Sequence, residues 1–143
     1  MKVRYILKVK GSQVHSIGPD QTVLDAVALL VQHRIGALLV RDAAGAVAGI
    51  LSERDVLREC LHRSAELGRI SVQDAMTRDL IVCVLDDDVD YAMGVVTKNR
   101  VRHLPVMDGD RVAGMISIGD LVKASLDEVQ YENRYLREYI TGR

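Results

Sequence analysis

The chain has 143 residues, with 19 Lys plus Arg against 20 Asp plus Glu and a net charge of −1, so it carries no overall basic footprint for duplex DNA or RNA. Apolar residues make up 48% but aromatic ones only 3%, with no Trp and no Phe, which speaks against an aromatic platform for stacking single-stranded bases. The core has to be built from Val, Leu, Ile, Ala and Met, a composition suited to helices packed on buried sheet.

In chain order, residues 14–17 read as a short leading strand. Asp20-Gln-Thr-Val opens a helix-period stretch to Arg34, with Val23, Val27, Leu30 and Val31 on one face and Gly36 placed for a C-cap. Residues 37–40 and 46–51 are apolar runs on either side of the turn Asp42-Ala-Ala-Gly45, which predicts a hairpin. Ser52 starts a second helix to about His62, and 61–71 read as its end followed by a loop. The same succession follows downstream: a strand at 81–84, a helix at 89–100, strands at 103–107 and 112–116, and a helix from Ser117.

This is a duplication. Val47-Ala-Gly-Ile-Leu-Ser-Glu-Arg-Asp-Val-Leu-Arg58 aligns with Val112-Ala-Gly-Met-Ile-Ser-Ile-Gly-Asp-Leu-Val-Lys123, and only Glu53/Ile118 and Arg54/Gly119 differ in kind. Upstream, 20–40 aligns on 86–106 without a gap, and the offset changes at the turn, where an extra residue is tolerated. The expected architecture is α/β (α+β), two β-α-β-β-α repeats packed about a pseudo-twofold axis as one module, because a lone unit is too small to bury both sheet faces. The boundaries are 1–62 for the first repeat, 63–71 for a linker, 72–124 for the second repeat and 125–143 for a C-terminal helix or tail. In that tail Leu126, Val129, Asn133, Leu136 and Ile140 alternate steps of three and four, which reads either as a seam for another chain or as a helix lying on its own domain.

Gly49-x-x-Ser52-x-x-Asp55 recurs as Gly114-x-x-Ser117-x-x-Asp120. Ser-x-x-Asp at a helix start is a capping box, and on that reading nothing binds there. Capping alone does not require the repeated Gly, which suggests a backbone that something else approaches closely. Free N–H groups at a helix start suit a phosphate, and a carboxylate can accept two hydrogen bonds from a sugar diol, so a nucleotide pocket is the other reading.

With Val72-Gln-Asp-Ala-Met-Thr77 opening the second repeat, Val101-Arg-His-Leu-Pro-Val106, and both G-x-x-S-x-x-D segments in order, the chain resembles a tandem pair of CBS (cystathionine-β-synthase-type) domains, a Bateman module, from about Val3 to Lys123. The resemblance implies adenosine-nucleotide binding in clefts between the repeats. Ser52 and Asp55 then form one half-site, with the Asp on the ribose hydroxyls, and Arg102 and His103 reach the phosphates held there, with Arg54 adding a second cation. Ser117 and Asp120 form the other half-site, where Gly36, Ala37 and Gly119 stand at the positions of Arg102, His103 and Arg54. That site is expected to be the weaker, because it lacks phosphate-directed charge. Adenine is expected to meet backbone groups near Ala37–Leu39 and apolar walls, with Ser16, ahead of His15, lining the base pocket.

The remaining candidates are weak. Cys60 and Cys83 have no C-x-x-C and no His at ligand spacing, and read as buried small apolar residues in a reducing compartment. His15, His33 and His62 read as solvated or helix-end histidines rather than metal ligands, and Asp86-Asp-Asp88 with Asp90 as acids at a helix start rather than a calcium loop. A hydrolase built from Ser52, His103 and Asp55 lacks a nucleophile elbow. No apolar run is long enough to span a membrane and no secretion signal is evident. The expected protein is therefore a cytoplasmic, non-enzymatic homodimer with no metal and no cofactor. It would sense AMP, or ADP, ATP or NAD, and signal to a protein partner in trans, with no membrane or nucleic-acid partner; the alternative is an interaction scaffold whose Ser/Asp pairs serve only as caps.

Overall fold

Two apolar clusters organise the chain, one around each three-stranded sheet. The structure is a computed structural model that describes residues 1–63 and 66–141; positions 64–65 of the expected linker and 142–143 of the expected tail lie outside the described residues. The elements are α1 (Val3–Lys10), β1 (Ser16–Ile17), α2 (Val23–His33), β2 (Ala37–Arg41), β3 (Val47–Ser52), α3 (Glu53–Arg63), a 3-10 turn (Leu67–Arg69), α4 (Val72–Ala75), β4 (Cys83–Val84), α5 (Val89–Asn99), β5 (His103–Asp108), β6 (Arg111–Ser117) and α6 (Ile118–Ile140). The expected β-α-β-β-α order thus occurs twice. Each sheet pairs its first strand parallel and its hairpin antiparallel, with Ala37 opposite Ser52 in one and His103 opposite Ser117 in the other.

Local chemistry explains the elements and some departures from the expected pattern. Thr22 and Asp25 close a capping box at the start of α2, whose inward face is Val23, Ala26 and Leu30. Val31, expected on that face, is exposed, because the helix turns it to the opposite side from Ala26. Gly36 does not cap α2. Arg34 does, in the left-handed region at φ 55°, its N–H reaching the Leu30 and Val31 carbonyls, and Arg100 repeats this after α5 at φ 54°. Cys83 is buried, and burial pushes its thiol up to about 12, whereas Cys60, expected inside, lies on the exposed side of α3.

The compact units are not consecutive in sequence: one is 14–80, the other 1–13 with 81–143. Residues 72–77, which open the second repeat in chain order, pack in the unit of the first. Val72 N–H donates to the Gln21 carbonyl at 2.7 Å and Thr77 exchanges backbone hydrogen bonds with Ile50. The other unit fills the same place with its N-terminal helix: Val3 N–H donates to the Asp87 carbonyl at 2.9 Å, and Val89 N–H to Met1 as Val23 N–H does to Ile70. Lys2 and Arg4 also pair with Asp88 and Asp86, which employs these acids in holding α1. Each unit therefore takes the lead-in segment that the sequence places before the other repeat.

The glycines of the repeated motif sit under these segments. A Cβ at Gly49 would lie 2.6 Å from the Thr77 carbonyl and 2.9 Å from Met76 Sδ, and one at Gly114 would lie 2.6 Å from Leu7 Cδ2. What approaches the backbone is thus the chain's own lead-in segment, so the glycines are not evidence for a ligand. Gly49→Ala, which meets backbone, is expected to lose about 1–3 kcal/mol in urea unfolding. Gly114→Ala, which meets only the end of a leucine side chain, should lose clearly less; equal small losses would contradict the close approach at Gly49.

Candidate functional site

β3 delivers Ser52 to the start of α3, and the Glu53 N–H donates to the Gly36 carbonyl at 3.0 Å, tying the helix start to the residue before β2. Asp55 reaches back from the first turn. Its Oδ2 accepts from Ser52 N–H at 2.9 Å and from Ser52 Oγ at 3.2 Å, while Asp55 N–H faces Ser52 Oγ at 3.4 Å. Oδ1 takes a different set: Thr77 Oγ1 at 3.1 Å and Arg58 Nη1 at 3.1 Å. Asp55 is only 2% exposed, so this carboxylate is buried with donors on both oxygens, as a buried charge must be. One turn on, the inward Glu59 pairs with Arg63 at 3.2 Å, so α3 turns two acids inward beside the half-buried Val56 while Leu57 and Leu61 face out.

The second copy of the motif has the same frame and a different counter-ligand. Ile118 N–H donates to the Arg102 carbonyl at 2.8 Å, and Ser117 with Asp120 forms a full capping box at the start of α6. Asp120 Oδ2 accepts from Ser117 N–H at 2.8 Å and from Lys10 Nζ at 2.7 Å, and Lys10 also donates to the Met115 carbonyl at 2.9 Å. Burial pulls the Asp120 carboxyl upward, but Lys10 and the Ser117 amide outweigh it and hold the group below the usual carboxylate range. The carboxylate of this half therefore has a cation of its own, apart from the phosphate-directed charge that the sequence leads us to expect only in the other half. Lys10 supplies it from α1, outside the segments that the repeats share.

The other predicted residues are placed as follows. Ser52, Asp55, Ala37, Ser16 and Arg54 belong to the unit 14–80; Ala37 is buried opposite Ser52, whereas Ser16 and Arg54 are exposed. Arg102, His103, Ser117, Gly119 and Asp120 belong to the other unit, where the Arg102 carbonyl meets the start of α6 and His103 lies opposite Ser117. His15, expected near a base, stacks its ring on His33 at 3.8 Å between centroids. Burial, then His33, holds His15 below the usual histidine range. Sequence reading missed Thr77, Arg58 and Lys10 as partners of the two carboxylates. Arg58 follows Asp55 by three residues and was legible as a helix neighbour, and Thr77 ends a quoted motif, but nothing local marks Lys10.

With this geometry in place, the CBS domain family model matches residues 9–62 and 72–127. The chain belongs to the CBS domain family. It is 40% identical over 127 residues to the mitochondrial CBS domain-containing protein CBSX3 of Arabidopsis thaliana, covering 86% of this chain but only 62% of that protein. The solved CBS-domain protein ATU1752 from Agrobacterium tumefaciens superposes with a TM-score of 0.85 at 40% identity, covering 87% of this chain and 92% of that one. CBSX2, solved in complex with AMP, superposes with a TM-score of 0.69 at 27% identity, covering 80% of this chain and 89% of that one. The repeated sheet-and-helix unit of this CBS pair is the family's, and no helix among the described residues is long and apolar enough to cross a membrane.

The Lys10–Asp120 pair has a testable pH signature. A carboxylate held below its unfolded value of about 3.9 contributes stability above that pH and loses it as the pH falls through the folded value. Lys10→Met is therefore expected to be destabilised by up to about 1 kcal/mol at pH 7, both groups being partly exposed. The deficit should shrink as urea unfolding is repeated below about pH 4. A deficit that stays constant into acid would show that Lys10 acts by packing alone.

Proposed function

We propose that this CBS pair is a regulatory module that binds an adenosine nucleotide, AMP first among the candidates and ADP, ATP or NAD behind it, with Asp55 accepting the ribose hydroxyls. The observation that carries this reading is the division of labour at Asp55. Oδ2 performs the cap, whereas Oδ1 is surplus to capping and is held by two replaceable donors, the Thr77 hydroxyl and a half-exposed Arg58. A sugar diol can take the place of those donors without undoing the helix start. The AMP complex of the related CBSX2 supports the choice of ligand.

The phosphates are assigned to Arg102 and His103 by the resemblance, with Arg54 as a further cation, and Ser16 and Ala37 to the base. Ser117, Gly119 and Asp120 form the weaker site, which lacks phosphate-directed charge and where Lys10 already neutralises the carboxylate that a ribose would use. The output passes to a protein partner, and the role is regulatory rather than catalytic. Binding can shift this module only by the ligand's differential affinity for its two states.

A second reading, an interaction scaffold without ligand, is favoured by the completeness of the cap at Ser117 and Asp120. Calorimetric titration with AMP separates the two. The nucleotide reading predicts saturable binding that Asp55→Ala and Arg102→Ala each weaken about tenfold or more, the worth of a charge-assisted hydrogen bond. The scaffold reading predicts no AMP binding to any of the three proteins, with Asp55→Ala losing only the stability of a cap, about 0.5–2 kcal/mol.

A further inference from the structure

α6 is a single 23-residue helix with two different fates along its length. Its first turns pack inward through Leu121 and Ala124. From Tyr131 to Thr141 every residue is exposed, and Leu126, Val129, Leu136 and Ile140 are between 52% and 79% exposed. A helix shorter than about 12–15 residues is marginal in water without packing, so this projecting half lacks the apolar cover that would sustain it. The reading in which the tail lies on its own domain does not describe these exposures.

We infer that the projecting half of α6 pairs in parallel with the same segment of a second copy of the chain, as a short two-stranded coiled coil in register at Asn133. Leu126, Asn133 and Ile140 fall at the a positions of a heptad and Val129 and Leu136 at d, with Val122 one step earlier at d. The polar member selects the partner. In a parallel pair, a faces a, so the two Asn133 amides meet and hydrogen-bond to each other. In an antiparallel pair, a faces d, and each amide would be buried against Val129 or Leu136 without a partner.

The flanking charges point the same way. Glu132 occupies g and Arg137 the following e, five residues on, which is the spacing of the ion pair that crosses between parallel helices. They are too far apart along one helix to pair with each other, and neither forms an ion pair within its own chain among the described residues. Arg134 and Glu138, on the outer face, pair within the helix at 3.3 Å. An antiparallel arrangement would instead set Glu132 near its own copy. Residues 126–140 span about 21 Å at 1.5 Å per residue, short for a free-standing coil but continuous with a helix already nucleated in the folded unit.

Cysteine cross-linking of the full chain tests this. In a Cys60→Ser background, which removes the exposed thiol and keeps the buried Cys83, Leu126→Cys and Ile140→Cys are made separately and oxidised with copper phenanthroline in air. Both substitutions lie on exposed positions and leave the packed core untouched. The parallel pair predicts that each variant forms a disulfide-linked dimer. An antiparallel pair places each cysteine about 15 Å or more from its copy along the axis, beyond disulfide reach, so cross-linking of neither variant, or of only one, overturns the proposal. Sedimentation equilibrium is the second readout: Glu132→Arg should weaken the dimer about fivefold, and adding Arg137→Glu should restore it. A dimer constant unmoved by Glu132→Arg also overturns the proposal.

Discussion

The contact on which both units depend is the seating of a lead-in segment directly on the backbone of the strand that ends in serine. Gly49 and Gly114 make it possible, because a side chain there would strike Thr77 and Met76 in one unit and Leu7 in the other. Once seated, the segment buries Val72 and Ala75, or Val3, Ile6 and Leu7, in the core beneath it. It also brings a polar group to the carboxylate at the start of the following helix. Packing and site chemistry are therefore set by the same approach.

That shared frame carries two different electrostatic outcomes. At Asp55 the lead-in contributes a neutral hydroxyl, and the charge is balanced by Arg58 from the helix itself. At Asp120 it contributes the ammonium of Lys10. The first carboxylate is almost fully buried and the second is partly open, so the two halves, built on the same repeated motif, differ in what a ligand would have to replace. The difference between Thr77 and Lys10 arises from the segments that the duplication did not copy, and it adds to the differences within the repeats, such as Arg54 against Gly119.

This explains what could be read from the sequence and what could not. The hairpins were legible because apolar runs flank Asp42–Gly45 and its counterpart, and the Ser/Asp caps because their spacing is local. Arg34 as a left-handed cap was not legible, since an arginine there pays a backbone penalty and Gly36, two residues on, offers the easier conformation. The exchange of lead-in segments was hidden because a repeat search aligns like with like along the chain, whereas residues 1–10 and 70–77 share backbone hydrogen bonding more than side-chain identity. Lys10 was invisible for the same reason. The continuous α6 was half legible: its heptad spacing was plain, but whether the apolar stripe was covered depended on the packing of the whole unit.

The most direct test of the central claim, that a capping carboxylate reads a ribose diol, is to compare AMP with 2′,3′-dideoxy-AMP by calorimetry on the unmodified chain. The two ligands share base and phosphate and differ only in the hydroxyls that Asp55 would accept. The account predicts that AMP binds at least about tenfold more tightly, the loss expected when hydrogen bonds to a charged group are removed. Equal affinities would show that whatever binds here does so without the carboxylate, and would leave Ser52 and Asp55 as a helix cap.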